Sequence, residues 1–262
     1  MLANTLMLVR THPEDPAREE EFNRWYNGNH VPDVLNAPNF VAAIRYKLAA
    51  THMGTVPAYL ALYYLSQDDV EIANRELRAY LDTPEPKRLP MPAATGDAQD
   101  WEIAGTGGGK RQGGLVCVDT WAWYTKTGEL GNNQVTPETA PKALLTVYSE
   151  PAEGADVQAL SHWYDQHMKD VLTSPGFKGA ARYELASVNV GTATRWCAIY
   201  QLDTDDVEQV QTDLLKTLAT APSGAIPKMD NGRSALKIDG YAYLSLAGAP
   251  TREFTLLPSS VV

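Results

Sequence analysis

Apolar and polar positions along this chain run through the same order twice. Short apolar runs at 5–9 and 143–148 end in polar, Pro-containing segments, as strands do. Helical spacing follows each. Phe22, Tyr26 and His30 fall at i, i+4 and i+8 with Trp25 beside them, and Leu160, Trp163, Tyr164 and His167 trace the matching stripe. The spacing predicts helices over 17–30 and 155–171. Pro32 disfavours helix at Val31, so the first is expected to close near His30. Alternation returns at 40–48 and 177–185, after turns at Pro38-Asn39 and Pro175-Gly176, and again at 59–65 and 196–202. Paired Asp residues offer N-caps to helices over 69–81 and 206–218, and final strands are expected at 115–124 and 237–246. Each copy reads β-α-β-β-α-β, the ferredoxin-like order. Two copies predict an α+β protein with helices on one face of each antiparallel sheet.

The repeat is visible in the letters. WYNGNHVPDVLNAPNFVAAIRYKL starts at Trp25, and WYDQHMKDVLTSPGFKGAARYEL starts at Trp163. His30 and His167 differ by 167 − 30 = 137, and so do Arg45 and Arg182 (182 − 45 = 137). Between Trp and His the second copy is one residue shorter. A period this long marks a duplicated domain rather than a solenoid unit. The expected organisation is a first repeat over 1–124 with a Pro- and Gly-rich insertion at 83–114, a linker over 125–141, and a second repeat with its tail over 142–262.

Composition removes several classes of function. The formal charge of −10 argues against nucleic acid, which needs clustered Lys and Arg. No apolar stretch reaches membrane-spanning length, and the first residues read as a strand rather than a leader. Cys117 and Cys197 sit singly in apolar runs, which fits buried thiols in a cytoplasmic protein. Neither a CxxC pair nor an HExxH motif is present, and His162 and His167 are poorly spaced for joint ligation, so no metal is expected. GTGGGK at 105–110 lacks the Walker spacing and reads as flexible linker, and there is no GxSxG elbow.

WYNGNHVPD, the Pro-Asn-Phe turn and the RY strand together resemble the EthD-like branch of the dimeric α/β-barrel superfamily. The resemblance touches both halves over about 25 residues each. It implies that two ferredoxin-like units pair their sheets into a barrel, here on one chain, with a pocket between each sheet and its own helices. It does not select a reaction, because the superfamily includes lyases, cyclases, isomerases, cofactor-free monooxygenases and haem enzymes.

Within that frame His30 is the leading candidate. A His at a helix C-terminus is favoured in its protonated form and suits general acid/base work; the alternative is that it caps the last carbonyls. Asp33, three residues on, either orients the imidazole or is a solvated charge. Tyr26, one turn before His30, and Tyr46 are candidate phenolic donors. Trp25 and Phe40 are candidate substrate-binding aromatics, with a core role as the alternative for Trp25. Phe40, Ala42, Ile44, Tyr46 and Leu48 alternate onto one face expected to pack under the helices, which leaves Arg45 toward the barrel interior or its rim, pairing with acidic groups or binding substrate. His167, Tyr164 and Asp170 are the second-pocket counterparts. The mismatch of NGNHVPD with DQHMKD, together with the insertion, favours the first repeat as the working pocket.

The expected activity is a cofactor-independent, His-mediated acid/base reaction of lyase, dehydratase or isomerase/cyclase type on an aromatic or polyketide-like metabolite. Alternatives are a cofactor-free monooxygenase or haem protein on the same barrel, since one His suffices to ligate haem, and a non-catalytic metabolite-binding protein. The expected assembly is a monomer with an internal pseudo-dimer, or a homodimer of it.

Overall fold

The computed structural model describes residues 4–83, 115–133 and 139–247. Most of the 83–114 insertion, the 105–110 segment and the tail after 247 lie outside the described residues. The elements are β1 (Thr5–Pro13), α1 (Glu19–Trp25), a π turn (Tyr26–His30), α2 (Val31–Leu35), β2 (Phe40–Met53), β3 (Tyr59–Leu65), α3 (Val70–Leu81), β4 (Val116–Gly131), β5 (Ala143–Pro151), α4 (Val157–Leu172), β6 (Phe177–Gly191), β7 (Trp196–Leu202), α5 (Val207–Ala219) and β8 (Leu236–Leu246). Asp69 and Asp156 cap α3 and α4 by accepting backbone N–H bonds in the first turn, and Asp206 does the same for α5. Among the described residues no helix is long and apolar enough to cross a membrane.

All eight strands close one antiparallel barrel in the order β1-β3-β2-β8-β5-β7-β6-β4. Each repeat contributes four consecutive strands of that ring. Two seams join the repeats: β2 pairs with β8, and β4 pairs with β6. Alternation sorts the buried side chains into three bodies. Leu6, Leu8, Ile44, Leu62, Leu144, Ile199 and Leu244, with tyrosines from both repeats, fill the barrel interior. The helix-facing side of the first repeat packs α1, the π turn and α3 on its sheet, and the second repeat does the same with α4 and α5.

Three expectations are corrected. The first helix does not close at His30. It passes through a π turn, in which the Val31 N–H bonds back to the Tyr26 carbonyl, and continues as α2 to Leu35. The π turn absorbs the extra residue of the first repeat, and Pro32 falls in the first turn of α2, where its missing N–H costs little. The faces of β2 are the reverse of those expected. A register shift between Phe40 and Ala42 puts Phe40 and Ala43 under the helices, while Ala42, Ile44 and Tyr46 point into the barrel. Arg45 therefore lies against the helices, not the barrel interior. Finally, β4 runs beyond Tyr124 through residues that composition reads as linker, because β6 supplies a partner as far as Gly131.

Gly191 ends β6 at the β4–β6 seam with φ 69°, and a Cβ there would run into the Asp119 carbonyl. Gly191→Ala is expected to destabilise the fold by about 1–3 kcal/mol, seen as a lower urea midpoint with an unchanged slope. An unchanged midpoint would show that the seam does not need this turn.

Candidate active site

In both repeats the helix presents a Trp and a His stacked face to face. Trp163 and His167 are four residues apart on regular α4, with ring centroids 4.7 Å apart and planes at 12°. Trp25 and His30 are five apart and still stack, at 5.1 Å and 18°. The wider π turn restores the register that an inserted residue would otherwise break. The following tyrosines match too: Tyr164 interacts with Tyr200 on β7, and Tyr26 with Tyr63 on β3. Burial raises the Tyr164 phenol to about 12 and Tyr200 and Tyr63 well above the usual phenol range, so all three are protonated donors at neutral pH.

The second repeat holds a cavity of about 560 Å³ between the sheet and its helices. Trp163, Tyr164 and His167 of α4 line it together with Tyr200 of β7 and Leu214 and Leu218 of α5. Among the described residues no Asp, Glu, Lys or Arg lines it. His167 Nδ1 is buried without a hydrogen-bond partner, whereas Nε2 is not among the sealed atoms of this cavity-lining ring. Burial lowers the His167 pKa below 6.5, with Asp170 pulling weakly the other way, so the ring is neutral at pH 7. A neutral imidazole with its proton on Nδ1 offers a lone pair on Nε2.

Asp170 does not hydrogen-bond this imidazole. Its Oδ2 accepts the Ser223 N–H at 2.8 Å, while Trp163 Nε1 donates to the Ser223 carbonyl at 3.2 Å. Together they tie the segment after α5 across α4 as a cavity wall. In the first repeat Asp33, 2% exposed, accepts from the Tyr80 hydroxyl of α3 at 3.3 Å. Both Asp residues thus tether their helix to the element beside it.

Arg45 and Arg182 also share a place, under the helix that carries the Trp–His pair. Arg45, 7% exposed, lies over the rings of Tyr26, Tyr59 and Phe22 at 4.0, 4.8 and 5.0 Å and donates to Asn27 Oδ1 at 2.5 Å. Arg182 donates to Ser161 Oγ at 2.7 Å and pairs with Asp165 at 3.2 Å. Both guanidiniums fix helix to sheet.

The structure brings Trp25, Tyr26 and His30 together on the helix side with Arg45 and Phe40. Tyr46 is apart from them, on the other side of the sheet, where its hydroxyl donates to the Pro141 carbonyl at 3.4 Å inside the barrel. Tyr241 and Tyr243 line the second-repeat cavity and were not singled out from the sequence. Their period-two spacing in GYAYLSL is the signal that marks them as facing the helices.

No family model matches the chain. Core atranone cluster (CAC) protein 1 of Stachybotrys chlorohalonatus (strain IBT 40285) is 34% identical over 94 residues, 35% of this chain and 38% of that protein, so the match spans well under half of the relative. An anthrone oxidase-like protein has a similar structure, with TM-score 0.50 and 9% identity over 94% of each chain. A chlorite dismutase variant from Candidatus Nitrospira defluvii superposes with TM-score 0.49 and 8% identity over 94% of this chain and 92% of that one. The chain has the ferredoxin-like α/β-barrel fold of the dimeric α/β barrels, with both units on one polypeptide.

A haem in this cavity would take His167 as its axial ligand, and among the described residues no Lys or Arg lines the cavity to meet the two propionates.

Because folding holds the His167 pKa below its unfolded value of about 6.5, the unfolded chain takes up a proton that the folded site refuses. The associated stability is whole above about pH 6.5 and falls as pH drops below it, until the folded ring also titrates. The loss in urea midpoint between pH 7.5 and 5.5 is expected to be smaller in His167→Gln than in the parent. Equal losses would mean that His167 titrates normally.

Proposed function

We propose that this protein is a cofactor-independent enzyme acting on a small, uncharged aromatic or polyketide-like molecule, and that the second-repeat cavity is its working pocket. The observation that carries this reading is a metabolite-sized cavity that no charged side chain among the described residues lines, with the neutral His167 imidazole in its wall. His167 Nε2 removes a proton from an acidic C–H or phenol of the substrate and returns it elsewhere, the pattern of an elimination, dehydration or isomerisation. Tyr164 and Tyr200 donate hydrogen bonds to the oxygen on which negative charge develops. Trp163 holds the imidazole plane by stacking. The names of an anthrone oxidase-like protein and an atranone cluster protein support a polycyclic or polyketide-derived substrate. His30, with Tyr26, Trp25 and Arg45, forms the homologous constellation of the first repeat, and we assign it the supporting role.

Anthrone in D₂O, without oxygen, serves as a probe of proton abstraction. The parent is expected to accelerate exchange of its methylene protons, His167→Ala to lose at least about 100-fold of that rate, Tyr164→Phe to lose about 10-fold, and His30→Ala to keep most of it. Full exchange in folded His167→Ala would sink the assignment. Loss only in His30→Ala would move the reaction to the first repeat. Oxygen uptake on admitting air would extend the chemistry to the monooxygenase alternative.

A further inference from the structure

The mouth of the barrel carries a second cavity, of about 430 Å³, built from both repeats. Arg10 of β1, Tyr148 and Glu150 of β5, Thr55 between β2 and β3, and Thr192 and Thr194 between β6 and β7 are in its wall. We propose that it binds the oxyanion group, a carboxylate or phosphate, of a small metabolite, with Arg10 as its principal contact. The site is separate from the His167 cavity and does not depend on the activity proposed for it.

The argument starts from symmetry. Leu6 and Leu144 pair with Tyr64 and Gln201, so β1 and β5 correspond at an offset of 144 − 6 = 138, and Arg10 matches Tyr148. Four successive antiparallel pairings, β1 to β3 to β2 to β8 to β5, make β1 and β5 run in the same direction. The two matched positions therefore meet at one end of the barrel. There the Arg10 guanidinium lies over the Tyr148 ring at 4.9 Å. A position that a symmetric duplication would fill with one residue type holds a cation on one side and its aromatic platform on the other.

Arg10 is fixed but not neutralised. Nε and Nη2 donate to Thr120 Oγ1 at 3.2 and 2.7 Å, and Nη2 also to the Thr192 carbonyl at 3.2 Å. All these acceptors are uncharged. Nη1 makes no hydrogen bond among the described residues and is not a sealed atom, so it opens on the cavity. The other charges in the wall are engaged with each other or with backbone. Asp239 pairs with Lys237, and Glu150 accepts the Arg195 N–H at 2.5 Å. What remains is a held guanidinium whose Nη1 carries the unbonded N–H groups, in a cavity lined by Thr55, Thr192 and Thr194 and large enough for a metabolite. A charge-assisted hydrogen bond from such a nitrogen is matched by an oxyanion.

Calorimetric titration of the full chain with inorganic phosphate and with benzoate tests the assignment, with methyl benzoate as the uncharged control. Saturable binding of at least one anion is expected, weakened at least about tenfold in Arg10→Gln, less in Arg10→Lys, and unchanged in His167→Ala. The methyl ester should not compete. Absence of saturable binding by both anions, or equal binding by a folded Arg10→Gln, would overturn the proposal. If Arg10→Gln does not fold, amide shifts of the parent decide: changes centred on Arg10, Thr192 and Thr194 support the site, and changes elsewhere overturn it.

Discussion

Closure of the barrel through the β2–β8 and β4–β6 seams is the constraint on which the rest of the molecule depends. A four-stranded antiparallel sheet with helices on one face leaves its other face apolar and exposed. In this chain each sheet uses the other as its cover, and the interior is a single body of side chains drawn from all eight strands. With that face sealed, the space between each sheet and its own helices is left to differ between the repeats. The two functional proposals follow this division. The His167 cavity lies outside the barrel wall under α4 and α5, and the Arg10 cavity lies at its mouth.

Duplication supplied two copies of one aromatic device. In each, a Trp stacks on a His, a Tyr beside it interacts with a strand Tyr, and an Arg beneath fastens helix to sheet. The copies have drifted in ways with clear physical consequences. One inserted residue becomes a π turn in the first repeat, so the Trp–His stack survives. Asp165, which pairs with Arg182, has Asn27 as its counterpart, so the buried Arg45 faces a neutral amide and three aromatic rings instead. The residues that look most chemical in the motif are thus divided between holding the fold and facing a cavity.

Much of this was legible in the sequence. The doubled βαββαβ order and the strand and helix positions follow from periodicity and from the repeat at Trp25 and Trp163, and the closure of the two sheets into a barrel was implied by the resemblance of that motif to the dimeric α/β barrels. Three features were not. A bulge after Phe40 shifts the alternation of β2 by one, and no residue type announces it, so Tyr46 and Arg45 exchange faces relative to the simple pattern. Pro32 reads as a helix stop unless the register before it widens, which depends on stacking contacts. The Asp170 partner, Ser223, lies 53 residues away, a contact that no local pattern encodes. Tyr241 and Tyr243 were in view as an alternating pair, but their place in the cavity required knowing that β8 borders β5 in the barrel.

The central claim is that an uncharged aromatic molecule meets a neutral His167 through Nε2. Long-range ¹H–¹⁵N correlation of ¹⁵N-histidine-labelled protein tests it most directly, with the five histidines assigned by single substitution. The account predicts that the His167 ring is neutral at pH 7, with its proton on Nδ1, and that saturating 2-naphthol shifts its Nε2 signal while leaving those of His12 and His162 in place. A doubly protonated His167 at pH 7, or a naphthol response confined to His30, would contradict it.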